Sequence, residues 1–266
     1  MDRLSSAAGK FGGKDLQEGA MIEEAIEIRT TDGTADGFLY RAEGERRFPG
    51  VIHLTDIGGI RKSHRDMARR LAEKGYTVLM PNVFYRTTKP PVIDVKIGMG
   101  DERTMKRFAE LRAPMTPEAV ERDATSYVNF LAAHKAVSAG SIGVVGYCFT
   151  GAMAMRTAAA NPDKVAAVAS FHGGGLYTDE PTSPHLLLPR IRARLYFGHA
   201  TNDRSMPQEA IEKFDRALAA WGGKYESEVY EGAFHGWTVP DAPIYNQPQA
   251  ERAFGKLTEL FAGTLK

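Results

Sequence analysis

The chain has 266 residues, 43% hydrophobic and 25% charged, with 34 basic against 33 acidic side chains and a formal net charge of +1. This suits one globular α/β domain with a sizeable core, and it excludes the strong field of a nucleic-acid binder or a polybasic membrane-surface protein. No apolar run approaches the ~18 residues of a membrane helix, no secretory leader is apparent, and a lone cysteine cannot close an internal disulfide, so a cytoplasmic setting is expected.

Residues 1–21 are rich in Gly, Ser, Ala and Lys with little periodicity, and are expected to form a flexible arm or leader ahead of a single domain over 22–266. Ile26–Arg29 and Gly37–Tyr40 alternate like strands around the turn signal Thr31-Asp32-Gly33, which predicts an antiparallel hairpin at a sheet edge. Gly50–Leu54 reads as a buried strand, His64–Lys74 as a helix stopped by Gly75, and Tyr76–Met80 as the next strand. Residues 84–116 are irregular and Pro/Gly-rich, which suits a loop and short helix over a cleft. Thr116-Pro117-Glu118 opens a helix to about His134, with a hydroxyl cap and Pro at the first position. Then come a strand from Ile142, a helix over Phe149–Ala160, strands Val165–Ser170 and Leu195–Gly198, a helix over Pro207–Ala220, strand Tyr225–Tyr230, and a last helix from about Gln249. Strands alternating with helices imply a mostly parallel central sheet covered on both faces.

The most informative segment is Gly146-Tyr147-Cys148-Phe149-Thr150-Gly151, between a short apolar strand and a small-residue helix. It reads as a nucleophile elbow with cysteine in the serine position. A thiol nucleophile needs a base, and the base an orienting acid, in the chain order nucleophile, acid, base. Asp203 and His235 each follow a strand downstream of Cys148, on the sheet edge where ligands bind. His172, after another strand, is a candidate to line the cleft, with a structural role as its alternative. No histidine has ligand spacing to a second histidine or to the cysteine, so neither a metal nor a cofactor is expected.

From about Ile22 to its end the chain resembles the dienelactone hydrolase family, the carboxymethylenebutenolidase-like group of the α/β-hydrolase superfamily. The resemblance rests on the elbow, on the Asp203 and His235 loops, on Val51–Gly59, on His64–Ala72 and on Pro81–Arg86. It implies an α/β-hydrolase fold, a Cys148-His235-Asp203 triad, and cleavage of a lactone or activated carboxylic ester through a thioester. It further implies an oxyanion hole of the Ile57 and Phe149 N–H groups. Four positions depart from or qualify the family pattern. Asp56 stands where the family has a glutamate that restrains the thiol. Thr150 replaces a glycine. Arg86 matches an arginine associated with the substrate carboxylate, but Val239 stands where a second such arginine is expected. These departures also suit a non-catalytic protein of the same fold that binds a small acid or lactone. The expected partner is a small-molecule ester or lactone, with monomer and homodimer both open.

Overall fold

In the computed structural model, which describes residues 20–93 and 101–265, the chain begins as a hairpin. β1 (Met21–Thr30) and β2 (Gly33–Ala42) pair antiparallel from Met21↔Ala42 to Thr30↔Gly33 around the expected turn. Met21 already belongs to β1, so the arm expected over 1–21 ends earlier, and residues 1–19 lie outside the described part. The hairpin flanks β3 (Gly50–Leu54), β4 (Thr77–Pro81), β5 (Ile142–Tyr147), β6 (Val165–Phe171), β7 (Arg194–Ala200) and β8 (Tyr225–Tyr230). The eight strands run in the order β1-β2-β4-β3-β5-β6-β7-β8. β2 meets β4 antiparallel, and every pairing beyond β4 is parallel.

Among the described residues, six α-helices cover the sheet: α1 (Lys62–Ala72), α2 (Glu102–Arg112), α3 (Pro117–Ala133), α4 (Thr150–Ala160), α5 (Gln208–Trp221) and α6 (Gln247–Ala262). The period-two alternation of the strands sorts them between two cores. Val51, Val145 and Tyr147 pack with Leu71 of α1 and Leu257 and Phe261 of α6. Ile52, Val144 and Val168 face the other way, towards Val128 of α3, Ala154 of α4 and Phe214 of α5. Burial on both faces is why these strands read as unbroken apolar runs. α3 starts as expected, with Thr116 Oγ1 accepting from the Ala119 N–H at 3.3 Å. A short 3-10 helix, Pro184–Arg190, was not foreseen and carries a proline near each end. Within the irregular stretch, α2 is the expected short helix, and Val92 packs against Gly59 in the loop after β3.

The tightest point of the fold is the passage from β5 into α4. A Cβ on Gly146 would lie 2.3 Å from the Thr150 carbonyl oxygen, and one on Gly151 would lie 2.2 Å from Ser170 Oγ. Gly146 is therefore required by close backbone approach, and Gly151 by the Ser170 hydroxyl together with the Gly173 backbone, 2.9 Å away. Thr150, fully buried, closes the turn: its Oγ1 accepts from the Tyr147 N–H at 2.8 Å and donates to the Tyr147 carbonyl at 2.8 Å, with Leu54 O at 3.3 Å.

Gly146→Ala is expected to lower unfolding free energy by about 1–3 kcal/mol or more, because the clash is with backbone. Gly255→Ala, on an α6 position facing open space, should instead stabilise by about 0.5–1 kcal/mol. Thr150→Val leaves the Tyr147 backbone groups unpartnered and should cost about 1–3 kcal/mol. Urea unfolding midpoints of the three variants check all three signs.

Candidate active site

Three non-glycine residues with positive φ stand at or just past the carboxyl ends of adjacent strands: Cys148 (59°) after β5, His172 (41°) after β6 and Asn202 (53°) after β7. Left-handed backbone is disfavoured for residues with a Cβ, and it concentrates where side chains must be aimed. At the elbow it turns the half-buried Cys148 side chain off the strand end, ahead of the amino end of α4.

The residues expected to act together meet. His235 Nε2 lies 3.0 Å from Cys148 Sγ, and His235 Nδ1 lies 2.6 Å from Asp203 Oδ2. The second carboxylate oxygen of Asp203 accepts from the Ser205 N–H at 2.8 Å and the Ser205 hydroxyl at 2.7 Å, while Ser205 Oγ sits 3.1 Å from His235 Nδ1. Burial pushes the Asp203 carboxyl up, but the His235 and Ser205 hydrogen bonds outweigh it, so Asp203 is an anion. Burial pushes His235 down, yet its contacts with Asp203 and Cys148 raise it from 6.5 to about 10. The carboxylate on one side of the ring and the thiol on the other thus favour its protonated form.

His172 serves the elbow from behind. Its Nδ1 accepts from the Cys148 N–H at 3.0 Å, and its Nε2–H donates to Thr238 Oγ1 at 2.8 Å. Burial holds it well below the ordinary histidine range, so the ring is neutral, as the accepting Nδ1 requires. It packs edge-on to His235 and Trp237, with ring centroids 5.2 and 5.1 Å apart. Its contacts are thus with the machinery around the thiol. Among the described residues, the Ile57 and Phe149 N–H groups have no hydrogen-bond acceptor in the protein. Phe149 stacks on Phe84, at 5.7 Å between centroids.

Asp56 and Arg86 depart from the expectation that they serve substrate or thiol. Both oxygens of Asp56 are occupied: Arg61 Nη1 donates to Oδ1 at 2.5 Å and Nη2 to Oδ2 at 2.8 Å, and the Gly58 N–H donates to Oδ1 at 2.8 Å. Buried His64 adds a contact at 3.4 Å and is itself paired with His53 at 2.9 Å. Although burial opposes it, His64 and Arg61 hold the Asp56 carboxyl far below the usual range. The polar partner of the thiol is His235, not Asp56. Arg86 is turned away to Asp123 of α3, at 2.6 and 2.8 Å, and to Asp32 of the hairpin turn at 2.6 Å. Val239 is fully buried.

Sequence reasoning missed Ser205, Arg61, His64 and Thr238. For Ser205 a signal existed, since Asp-x-Ser is a local turn pattern in which the carboxylate caps the backbone two residues on. Thr238 meets His172 from 66 residues away and Arg61 meets Asp241 from 180, and neither leaves a local mark; Arg61 and His64 also reach Asp56 from within the same loop and helix start, in no recognised local pattern.

Comparison with known proteins agrees with this architecture. The family model for the dienelactone hydrolase family matches residues 35–265. A carboxymethylenebutenolidase of Rhodococcus opacus is 30% identical over 225 residues, covering 82% of this chain and 84% of the relative. Among solved structures, a provisionally named dienelactone hydrolase from Klebsiella pneumoniae superposes with a TM-score of 0.81 at 23% identity, covering 91% of this chain and 99% of that one. A dienelactone hydrolase-like promiscuous phosphotriesterase from metagenomic libraries gives a TM-score of 0.74 at 20% identity, covering 93% of this chain and 100% of that one. The structural likenesses establish the α/β-hydrolase fold, and the family match extends over most of the sequence: the chain belongs to the dienelactone hydrolase family.

Proposed function

We propose that the protein hydrolyses a lactone or activated carboxylic ester through a thioester on Cys148. The observation that carries this reading is the continuous contact from Cys148 Sγ through both nitrogens of His235 to Asp203, at 3.0 and 2.6 Å. The thiolate attacks the carbonyl carbon. The resulting oxyanion accepts hydrogen bonds from the Ile57 and Phe149 N–H groups, each worth about 3 kcal/mol in such sites. The tetrahedral adduct collapses, the carbon–oxygen bond of the ester breaks, and His235 Nε2 gives its proton to the departing alkoxide. With a lactone that alkoxide stays tethered to the acyl group. His235, now neutral and held in its tautomer by Asp203, takes a proton from water. The hydroxide attacks the thioester, the acid leaves, and the thiolate–imidazolium pair returns.

Family membership supports the reaction class, as does the carboxymethylenebutenolidase activity named for the Rhodococcus relative. Because Arg86 is engaged by Asp123 and Asp32, and Val239 is apolar and buried, neither position offers a free guanidinium. An uncharged ester or lactone is therefore the better substrate. A single free cysteine suits a reducing compartment such as the cytoplasm.

Turnover of para-nitrophenyl acetate and of a small unsaturated lactone is expected to fall at least ~1,000-fold in Cys148→Ala and His235→Ala and after alkylation by iodoacetamide. Full activity in Cys148→Ala would remove the thiol from the mechanism. Ligand binding without product in every form would make this a binding protein.

The His235 charge can be read directly by nitrogen-15 NMR. The ring should remain an imidazolium at pH 8 and titrate near 10, and Asp203→Asn should move that midpoint down towards the ordinary value. Because its native value is raised, the stabilisation from charged His235 is complete below about 6.5 and is lost as pH rises through about 10. A neutral ring at pH 8 in the wild type would break the ion-pair reading.

A further inference from the structure

Arg61 joins the two loops that the proposed chemistry must keep in register. It caps the start of α1, just after the loop that carries Asp56 and Ile57. Each of the five N–H groups of its guanidinium has an acceptor. Nη1 donates to Asp56 Oδ1 at 2.5 Å and to the Gly59 carbonyl at 3.3 Å. Nη2 donates to Asp56 Oδ2 at 2.8 Å and to Asp241 Oδ1 at 3.0 Å, and Nε donates to Asp241 Oδ2 at 2.8 Å. The Ser63 hydroxyl adds a bond to Asp241 Oδ2 at 2.9 Å. Two carboxylates are thus each gripped by a pair of N–H groups on one planar cation, Asp56 end-on and Asp241 side-on, the geometry that fixes orientation as well as distance.

What is gripped matters more than the grip. Asp56 is covalently adjacent to Ile57, whose N–H is one oxyanion donor. Asp241 ends the segment that begins at His235. That segment is wound tightly, with the Trp237 N–H on the Phe234 carbonyl at 3.0 Å and the Val239 N–H on the Gly236 carbonyl at 3.0 Å. Its Trp237 and Val239 side chains are fully buried, so it moves as one piece. The Gly58 backbone is laid against the guanidinium, where an added Cβ would be 2.6 Å from Arg61 Nη1. The side chain of Arg61 is only 22% exposed, so water competes little for these bonds.

We propose that Arg61 is a positioning residue for acyl transfer: by clamping Asp56 and Asp241 together it sets the Ile57 oxyanion donor at a fixed place relative to His235. The inference rests on the thioester reading above and deepens it. Asp56 then acts as the anchor of the oxyanion loop. The thiol–imidazole contact does not itself pass through Arg61.

Two reactions of the same thiol separate these roles. Alkylation by iodoacetamide displaces iodide from a saturated carbon and forms no oxyanion, so it reads the Cys148–His235 pair alone. Acylation by para-nitrophenyl acetate needs the oxyanion donors as well. In Arg61→Ala, kcat for the ester should fall about 10- to 100-fold, approaching the loss of one oxyanion donor, while KM stays within about threefold and the alkylation rate within about twofold. Arg61→Lys offers a point charge in place of the planar fork, so it should recover less than about a tenth of the lost rate. Asp241→Asn, at a half-exposed position, should give a smaller loss of the same kind and serves if Arg61→Ala does not fold. Ester turnover unchanged in Arg61→Ala, or alkylation and acylation falling together, would overturn the assignment. A wild type that is alkylated yet turns over no ester would overturn the thioester reading too, whereas a wild type that turns over while Arg61→Ala keeps full rate overturns this inference alone.

Discussion

The close approach of β5 and α4 is the constraint on which the rest of this site depends. At Gly146 the helix carbonyl comes so near that no side chain fits, and at Gly151 the Ser170 hydroxyl and the Gly173 backbone crowd the same side. This contact fixes where α4 begins. It thereby fixes the direction of the Phe149 N–H and the place where Cys148 leaves the strand. Thr150 locks the turn with a hydroxyl that both accepts from and donates to Tyr147. A threonine in a family position that resemblance gives to glycine is thus accommodated by hydrogen bonding, at no expense in room.

Within this frame, two histidines about 5 Å apart are driven to opposite states. His172 is walled in by apolar neighbours and used as an acceptor by the Cys148 N–H, so it is neutral. His235 is partly exposed and has a carboxylate on one nitrogen and the thiol on the other, which raise it. Environment, not residue type, separates them: one ring accepts from the Cys148 N–H, and the other bridges the thiol and a carboxylate. A second tier of ionic contacts lies outside these rings. Arg61 and Arg86 are each shared between two aspartates, and in both cases the arginine joins segments that are distant in sequence.

Much of this was legible in the sequence, for identifiable reasons. The parallel strands are buried on both faces and so appear as continuous apolar runs. The elbow glycines, the Thr116-Pro117 start of α3 and the Thr31–Gly33 turn are local signals whose physics is complete within a few residues. Cys148, Asp203 and His235 could be ordered because the topology leaves strand ends on one edge. What stayed hidden is two-body information. Nothing near Arg86 announces Asp123, 37 residues away. Nothing near Arg61 announces Asp241, 180 residues away, and the same is true of His172 and Thr238 at 66. The 3-10 helix over Pro184–Arg190 was hidden for a different reason, because its prolines break the helical pattern that would have revealed it.

The left-handed residues at three successive strand ends have a consequence for how such a protein changes over time. Each non-glycine residue held there costs of order 1–3 kcal/mol, against a total stability of about 5–15 kcal/mol for an ordinary domain. A good part of the stability margin is therefore committed to one edge of the sheet. Glycine at Cys148, His172 or Asn202 would relieve that strain at the loss of the side chain it aims. The reserve that carries the strain lies in the two cores beneath. Robustness and reactivity are drawn here from a common store, and the cores set how far the edge can vary.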